Sequence, residues 1–362
     1  MLYIGIIGLA QSGRTTVFNA LTKSKADTEG LALHTLIAKV PEPRLKTLVD
    51  MFQPRKVMPA EVTYHDIGPS TRDLGKEQGI SGQFLAQLSN VDAIISVARA
   101  FSDGSVPHIE GSVDAERDIA TMDMELAFSD LAIIERRLQR IDISLKGAKP
   151  PERQSLIRER ELLIKLKASL EKDTPIWELD LTPGEAKAMT NYQFLTAKPL
   201  LIVVNIGEDQ LPQAASLEAE LNSHYSRPDC HIITLCGRLE TELAQLDDSA
   251  AEGFSADFGI KESGAERAIK LSYDLLGLIS FFTVGSDEVK AWSIQNGTSA
   301  LKASGKIHSD IERGFIRAEV ISYDNLLSCG SIAEGRKKGL LRLEGKEYIV
   351  QDGDVITFLF NV

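Results

Sequence analysis

The chain has 362 residues and a formal net charge of -12, from 40 Lys and Arg against 52 Asp and Glu. That length accommodates about two or three domains. The acidic balance excludes a generally basic nucleic-acid coat, so any RNA contact must come from a local patch. Cys230, Cys236 and Cys329 have no metal-ligand spacing and are read as buried thiols of a reduced, cytoplasmic chain. The N-terminus reads as a strand rather than a signal peptide, and no membrane span is expected.

The first strand is Leu2-Tyr3-Ile4-Gly5-Ile6-Ile7. It runs into Gly8-Leu9-Ala10-Gln11-Ser12-Gly13-Arg14-Thr15-Thr16, and a helix continues through Val17-Phe18-Asn19-Ala20-Leu21. This is the strand, glycine loop and helix of a phosphate-binding P-loop, with Arg14 where Lys is usual. Gly8 and Gly13 allow tight turning and close approach to a ligand. The amides from Gln11, Ser12 and Gly13 to Thr16 then converge on an anion at a helix start, where unpaired N–H groups and the helix dipole favour negative charge. Thr15 is placed to hold Mg²⁺ through its hydroxyl. Arg14 keeps the charge as a planar fork able to reach phosphate oxygens. A plain glycine turn without a ligand is the alternative.

A polar stretch from Lys23 to Gly30 breaks the pattern. Residues Ala60 to Ile67 predict a strand ending at Asp66, and Gly68 to Gly82 read as a mobile loop. Further buried strands are expected at Ala93–Val97, Leu200–Val204 and His231–Leu235. Apolar strands alternating with helices imply an α/β fold with a mainly parallel sheet.

Between them, Leu131, Ile134, Leu138, Ile141 and Leu145 recur at helical spacing, as do Leu156, Leu163, Leu166 and Leu170. Lys146-Gly147-Ala148-Lys149-Pro150-Pro151 separates the two stripes, which predicts an inserted antiparallel helical hairpin. Its many arginines, among them Arg136, Arg137, Arg153, Arg158 and Arg160, read as a solvated face or as a basic patch. The last eighty or so residues predict strands at Lys290–Ile294, Phe315–Ile321 and Val355–Phe360, a small mixed-sheet domain.

The tail Gly305-Lys306-Ile307-His308-Ser309-Asp310-Ile311-Glu312-Arg313-Gly314-Phe315-Ile316-Arg317-Ala318, with Asp352-Gly353-Asp354-Val355 and Phe358-Leu359-Phe360-Asn361-Val362, is similar to the TGS core of the Obg-like ATPase family, YchF type. The chain resembles that family over nearly its whole length. The resemblance implies a P-loop GTPase-like core over 1–118 and 196–277, a helical insertion over 119–195 and a β-grasp TGS domain over 278–362. It implies a purine nucleotide ligand, ATP or GTP with Mg²⁺, slow hydrolysis as a regulatory switch, association with the ribosome or RNA, and a monomeric chain. Asn205-Ile206-Gly207-Glu208 stands where ordinary GTPases read Asn-Lys-x-Asp, so Glu208 replaces the guanine-reading Asp, and the resemblance implies adenine tolerance or preference. Ile206 would offer the base an apolar contact and a backbone group, and Cys236-Gly237 would form the second base-bordering loop.

Other site residues follow from the same resemblance. Asp66 would organise Mg²⁺ through water. Thr35 falls either on the Mg²⁺-sensing switch threonine or in the following strand, depending on where the gap is placed. His108 stands where the family has a catalytic-candidate histidine, although a lone loop histidine is otherwise simply exposed. Three departures cluster at the γ-phosphate: Arg14 for Lys, Asp66-Ile67-Gly68-Pro69 for Asp-x-Ala-Gly, and a shortened first switch. Pro69 lacks the N–H that would contact the γ-phosphate. The alternative is therefore a degenerate nucleotide sensor, or a ribosome or RNA adaptor without significant hydrolysis. Lys306, Arg313, Arg317, Arg336, Lys337, Lys338, Arg342 and Lys346 give the C-terminal region a local positive excess for such a contact, or a solvated surface.

Overall fold

The computed structural model describes residues 2–24, 34–68, 82–172, 174–225, 230–246, 250–251, 253–254 and 262–361. Contacts divide the chain into a first unit, Met1–Leu36 with Thr63–Ala268, and a second, Ile37–Val62 with Ile269–Val362. The strands in chain order are β1 (Tyr3–Gly8), β2 (His34–Lys39), β3 (Lys56–Met58), β4 (Glu61–Asp66), β5 (Ala93–Arg99), β6 (Leu200–Asn205), β7 (Cys230–Leu235), β8 (Leu278–Val284), β9 (Glu288–Gln295), β10 (Phe315–Ser322), β11 (Arg342–Glu344) and β12 (Asp354–Phe360).

The first sheet runs β2-β4-β1-β5-β6-β7. β1 pairs in parallel with β4 and β5, and β5, β6 and β7 continue in parallel. The central strands are buried along most of their length because both faces are covered, which is why they read as unbroken apolar runs rather than alternating ones. Parallel register has a functional consequence. It brings Gly8, Asp66, Asn205 and Leu235 to the same end of the sheet, the carboxyl ends of the strands, where ligands bind in sheets of this kind. Helix α1 (Arg14–Thr22) starts there.

The hairpin is present. One helix, Ala115–Ser144, is capped by Asp114, whose side chain accepts from the Arg117 amide. The other, Pro150–Leu170, begins with the two prolines at its first positions, where a missing N–H costs nothing. The domain boundary expected at 118/119 falls inside the first of these helices. Its opening turns contribute Ile119, Met122 and Leu126 to the core beside the sheet, whereas Ile134 and Ile141 pack with Leu163, Leu166 and Leu170 in the hairpin. Of its arginines, Arg137 pairs with Glu159 at 2.7 Å and Arg160 with Asp142 at 3.0 Å across the hairpin, so part of that charge is internal to the two helices.

The second unit is a mixed sheet ordered β11-β10-β12-β8-β9-β3. β8 and β9 are antiparallel, β10 pairs antiparallel with β11 and β12, and β12 lies parallel to β8. Phe281, Phe315, Val320, Ile356 and Phe358 are buried in its core. By contacts residues 37–62, expected within the N-terminal core, group with this unit, although the first and last few of them lie in β2 and β4 of the first sheet. β3 adds to the sheet in parallel with β9, and the helix Pro43–Phe52 packs with it. Arg44 at the start of that helix binds Asp352 at 2.7 Å and lies over the Phe282 ring.

Candidate functional site

The loop between β1 and α1 has the geometry its glycines predict. Gly13 has φ +83° and Gln11 φ +64°, both left-handed. A Cβ at Gly8 would lie 2.6 Å from the Val97 carbonyl oxygen, and one at Gly13 would lie 2.1 Å from Asn205 Nδ2. Glycine is therefore required at both places. Gly13 is the N-cap of α1 and supplies no side-chain cap, and the first turn holds no acidic residue. Among the described residues the opening turn of α1 thus has no side-chain cap, which is the arrangement that binds an anion. Ser12 is buried, and its Oγ has no hydrogen-bond partner among the described residues. These features fit phosphate oxygens.

On the other side of α1, Thr15 Oγ1 donates to Asp66 Oδ2 at 2.9 Å, and Arg14 Nε donates to Asp66 Oδ1. Asp66 is buried at the end of β4. A threonine hydroxyl and a carboxylate are hard oxygen donors of the kind Mg²⁺ takes together with substrate phosphates. Among the described residues no three His, Cys, Asp or Glu gather as a metal cluster. Pro69 lies outside the described residues, as do the rest of the loop up to residue 81 and residues 25–33 before β2.

Asn205 is buried, and both ends of its amide are engaged. Nδ2 donates to the Ser12 carbonyl at 3.1 Å and Oδ1 accepts from the Gly237 amide at 3.0 Å. The amide bridges the phosphate loop and the loop after β7, and Nδ2 has a second N–H beyond the one given to Ser12. The Asn205 carbonyl also accepts from the Ala100 and Phe101 amides. Ile206 is 3% exposed and sits in the core, and its amide donates to the Leu235 carbonyl at 3.0 Å. Glu208 opens a short 3₁₀ turn with its side chain 44% exposed, 3.7 Å from Arg238. Cys236 is buried, and burial pushes its thiol pKa up, so it lines the second loop as an inert group.

Two expected residues are placed differently. Thr35 lies within β2, and its Oγ1 is 2.7 Å from His65 Nδ1. The strand alignment is therefore the one realised, and its hydroxyl is engaged away from Thr15 and Asp66. His108 is neither exposed nor available to orient water. Its Nδ1 accepts from the Glu110 amide at 3.1 Å, so Nε2 carries the proton and donates to Asp118 Oδ2 at 2.8 Å. Both side chains of that pair are almost fully buried, and Arg117 binds the other Asp118 oxygen. The histidine ties the loop after β5 to the start of the hairpin.

Arg99 was not singled out from the sequence. It is 1% exposed at the end of β5, donates to the Phe101 and Val106 carbonyls, and stacks 4.3 Å from the Phe101 ring. A Cβ at Gly13 would be 3.6 Å from that ring, so this pair shapes the wall beside the phosphate loop. Its only sequence signal is a charge ending an apolar run. In the second unit the expected basic excess is partly neutralised: Arg313 pairs with Asp310, Arg336 with Glu319, Lys337 with Glu334 and Arg342 with Glu344. No helix among the described residues is long and apolar enough to cross a membrane.

A family model named YchF-GTPase_C, described as "Protein of unknown function (DUF933)", matches residues 278–361. The chain is 38% identical over 368 residues to the "Ribosome-binding ATPase YchF" of Bacillus subtilis (strain 168), covering all of both chains. The chain belongs to the YchF family. The YchF relative of Escherichia coli O157:H7, also named "Ribosome-binding ATPase YchF", is 34% identical over 99% of each chain. The solved structure of the Schizosaccharomyces pombe YchF GTPase superposes with a TM-score of 0.86 at 30% identity, covering 99% of this chain and 97% of that one. The parallel sheet with its phosphate loop is thus the YchF fold, as the sequence resemblance implied.

Proposed function

We propose that this chain is a P-loop nucleotide-binding protein that associates with the ribosome, takes ATP in preference to GTP, and acts as a slow regulatory switch. The observation that carries the reading is the uncapped N-terminus of α1, with the buried Ser12 Oγ beside it and Gly8 and Gly13 permitting close approach. The printed names of the YchF relatives, which call them ribosome-binding ATPases, support the partner and the reaction class.

The amides of Gln11 to Thr16 hold the phosphates by direct N–H donation. Thr15 and Asp66 are the residues that would hold Mg²⁺, which when bound would supply charge neutralisation at the phosphate oxygens. Asn205 fixes the distance between the phosphate loop and the base-bordering loop that contains Cys236. Glu208, one methylene longer than Asp, misplaces its carboxylate for the guanine edge and so favours adenine. Calorimetric titration with ADP and GDP tests this. ADP binding at least as tightly as GDP is expected, and GDP binding about tenfold tighter, a difference of about 1.4 kcal/mol, overturns the adenine preference.

A second reading, a nucleotide sensor with little or no hydrolysis, draws support from the Arg14–Asp66 pair, which commits the P-loop cation to a carboxylate. Pro69 stands in sequence where the family resemblance implies a glycine whose N–H contacts the γ-phosphate, and proline has no such donor, a loss that costs about a hundredfold or more in rate. Single-turnover hydrolysis separates the two readings. Very slow turnover that rises in the triple variant Arg14→Lys, Gly68→Ala, Pro69→Gly supports an impaired switch. Fast turnover unchanged by those substitutions refutes both the slow switch and the sensor.

A further inference from the structure

Two of the departures at the γ-phosphate side meet in space. Arg14 turns its guanidinium onto Asp66, binding Oδ1 through Nε, while Thr15 Oγ1 holds Oδ2. Both carboxylate oxygens are therefore occupied by donors from the first turn of α1. Arg14 is 20% exposed and Asp66 3% exposed at the side chain, so the pair is largely shielded from water. The guanidinium lies directly over Gly68. A Cβ there would fall 2.6 Å from Nη2, 2.9 Å from Nη1 and 3.0 Å from Cζ. Gly68 is the position at which the sequence departs from Ala, and the arginine fills the space that a methyl group would take. Arg14 and Gly68 are thus two halves of one arrangement.

We propose that the Arg14 guanidinium is a built-in counter-ion of Asp66 that stands in for much of the Mg²⁺ contribution to nucleotide affinity. The inference rests on the nucleotide reading above. Asp66 attracts a divalent cation to the phosphate edge only to the extent that its charge is uncompensated. A guanidinium in contact with it cancels that charge locally and repels a second cation. Arginine suits this role better than lysine. Its fork engages a carboxylate through Nε while further N–H groups stay on the same rigid plane, whereas an ammonium is a single point charge. Because Arg14 directly precedes Thr15, the same guanidinium remains at the anion-binding end of α1. The phosphates therefore meet a neutralised Asp66 rather than a bare carboxylate, whether or not Mg²⁺ accompanies them.

The test is calorimetric titration of the full chain with ADP, in Mg²⁺ and in EDTA, for the wild type, Arg14→Lys and Gly68→Ala. In the wild type, chelating Mg²⁺ is expected to change Kd by less than about threefold. Arg14→Lys releases Asp66, and Gly68→Ala forces the guanidinium off it, so each variant is expected to lose about tenfold or more in affinity on chelation. If one variant does not fold, the wild type and the other decide the matter. Equal Mg²⁺ dependence in wild type and variants, large or small, overturns the inference and leaves the nucleotide reading standing. Absence of saturable ADP binding in every sample and both buffers overturns the nucleotide reading, and the inference with it.

Discussion

Arg44 grips Asp352 from 308 positions earlier in the chain, its Nη1 donating to Oδ2 at 2.7 Å and its Nη2 to Oδ1 at 3.2 Å. Asp352 Oδ1 also accepts from the Ser280 amide, and Arg44 binds Glu42 and stacks over Phe282 at 5.3 Å. Hydrogen bonding to Glu42 is the leading cause that holds the arginine charged, well above its ordinary range. The network fastens residues 37–62 into the second unit. Arg44→Ala is expected to lower stability by about 1–2 kcal/mol, at the upper end for a partly exposed pair because the contact is bidentate and shared. Arg44→Lys should recover less than half. Thermal denaturation measures both, and an unchanged midpoint for Arg44→Ala contradicts the assignment.

His108→Ala removes the donor to Asp118 Oδ2 while Arg117 stays on Oδ1. Leaving that buried oxygen unsatisfied is expected to cost about 1–3 kcal/mol. The single-turnover rate should stay within about threefold, because the histidine acts on loop architecture and not as the general acid or base whose loss costs about a hundredfold or more. A stable variant with a hundredfold slower rate contradicts the placement.

Asp130 fastens the return of the hairpin. It is fully buried and accepts from the Leu195 amide, the Thr196 amide and the Thr196 hydroxyl at 2.7–2.8 Å. Burial pushes its pKa up to about 6, and the three donors oppose that shift without cancelling it. A carboxyl with a raised folded-state pKa binds its proton more tightly when folded. Its contribution is therefore complete below about pH 4 and is lost as pH rises through about 6. The stability of wild type relative to Asp130→Asn should fall across that window by on the order of 2–3 kcal/mol. Urea unfolding at several pH values checks this, and a difference that grows with pH means the three donors outweigh burial.

The parts of this molecule that are legible in the sequence are those that local chemistry determines. β6 and β7 are runs of apolar residues because both faces are covered, and Gly8 and Gly13 stand where no Cβ fits. The hairpin shows through leucine spacing because its core is a single stripe. What stayed hidden depends on partners far away along the chain. β3 is three mostly exposed residues whose only structural signal is pairing with β9 more than two hundred positions later. Thr35 reads equally as switch or strand until His65 takes its hydroxyl. Arg14 looks like a phosphate ligand in sequence, and its contact with Asp66 spans 52 positions.

Arg14 still supplies the positive charge at the loop, so its loss should matter for a triphosphate. Arg14→Ala is expected to weaken ATP-analogue binding about tenfold or more, and Arg14→Lys clearly less, since an ammonium retains a charge near the phosphates. Fluorescence titration with a non-hydrolysable analogue in Mg²⁺ compares the two. Equal affinities for both variants mean that the side chain contributes nothing to binding and that the backbone amides carry it alone.

In the proposed complex, nucleotide sits on the loop from Gly8 to Thr16, held by the amides at the start of α1. Hydrogen–deuterium exchange with and without saturating ADP tests it most directly, because those amides either acquire an acceptor or do not. Strong protection confined to residues 9–17 is expected, with weaker protection at 205–208 and 236–238. Protection of other segments with no change at 9–17 would contradict it.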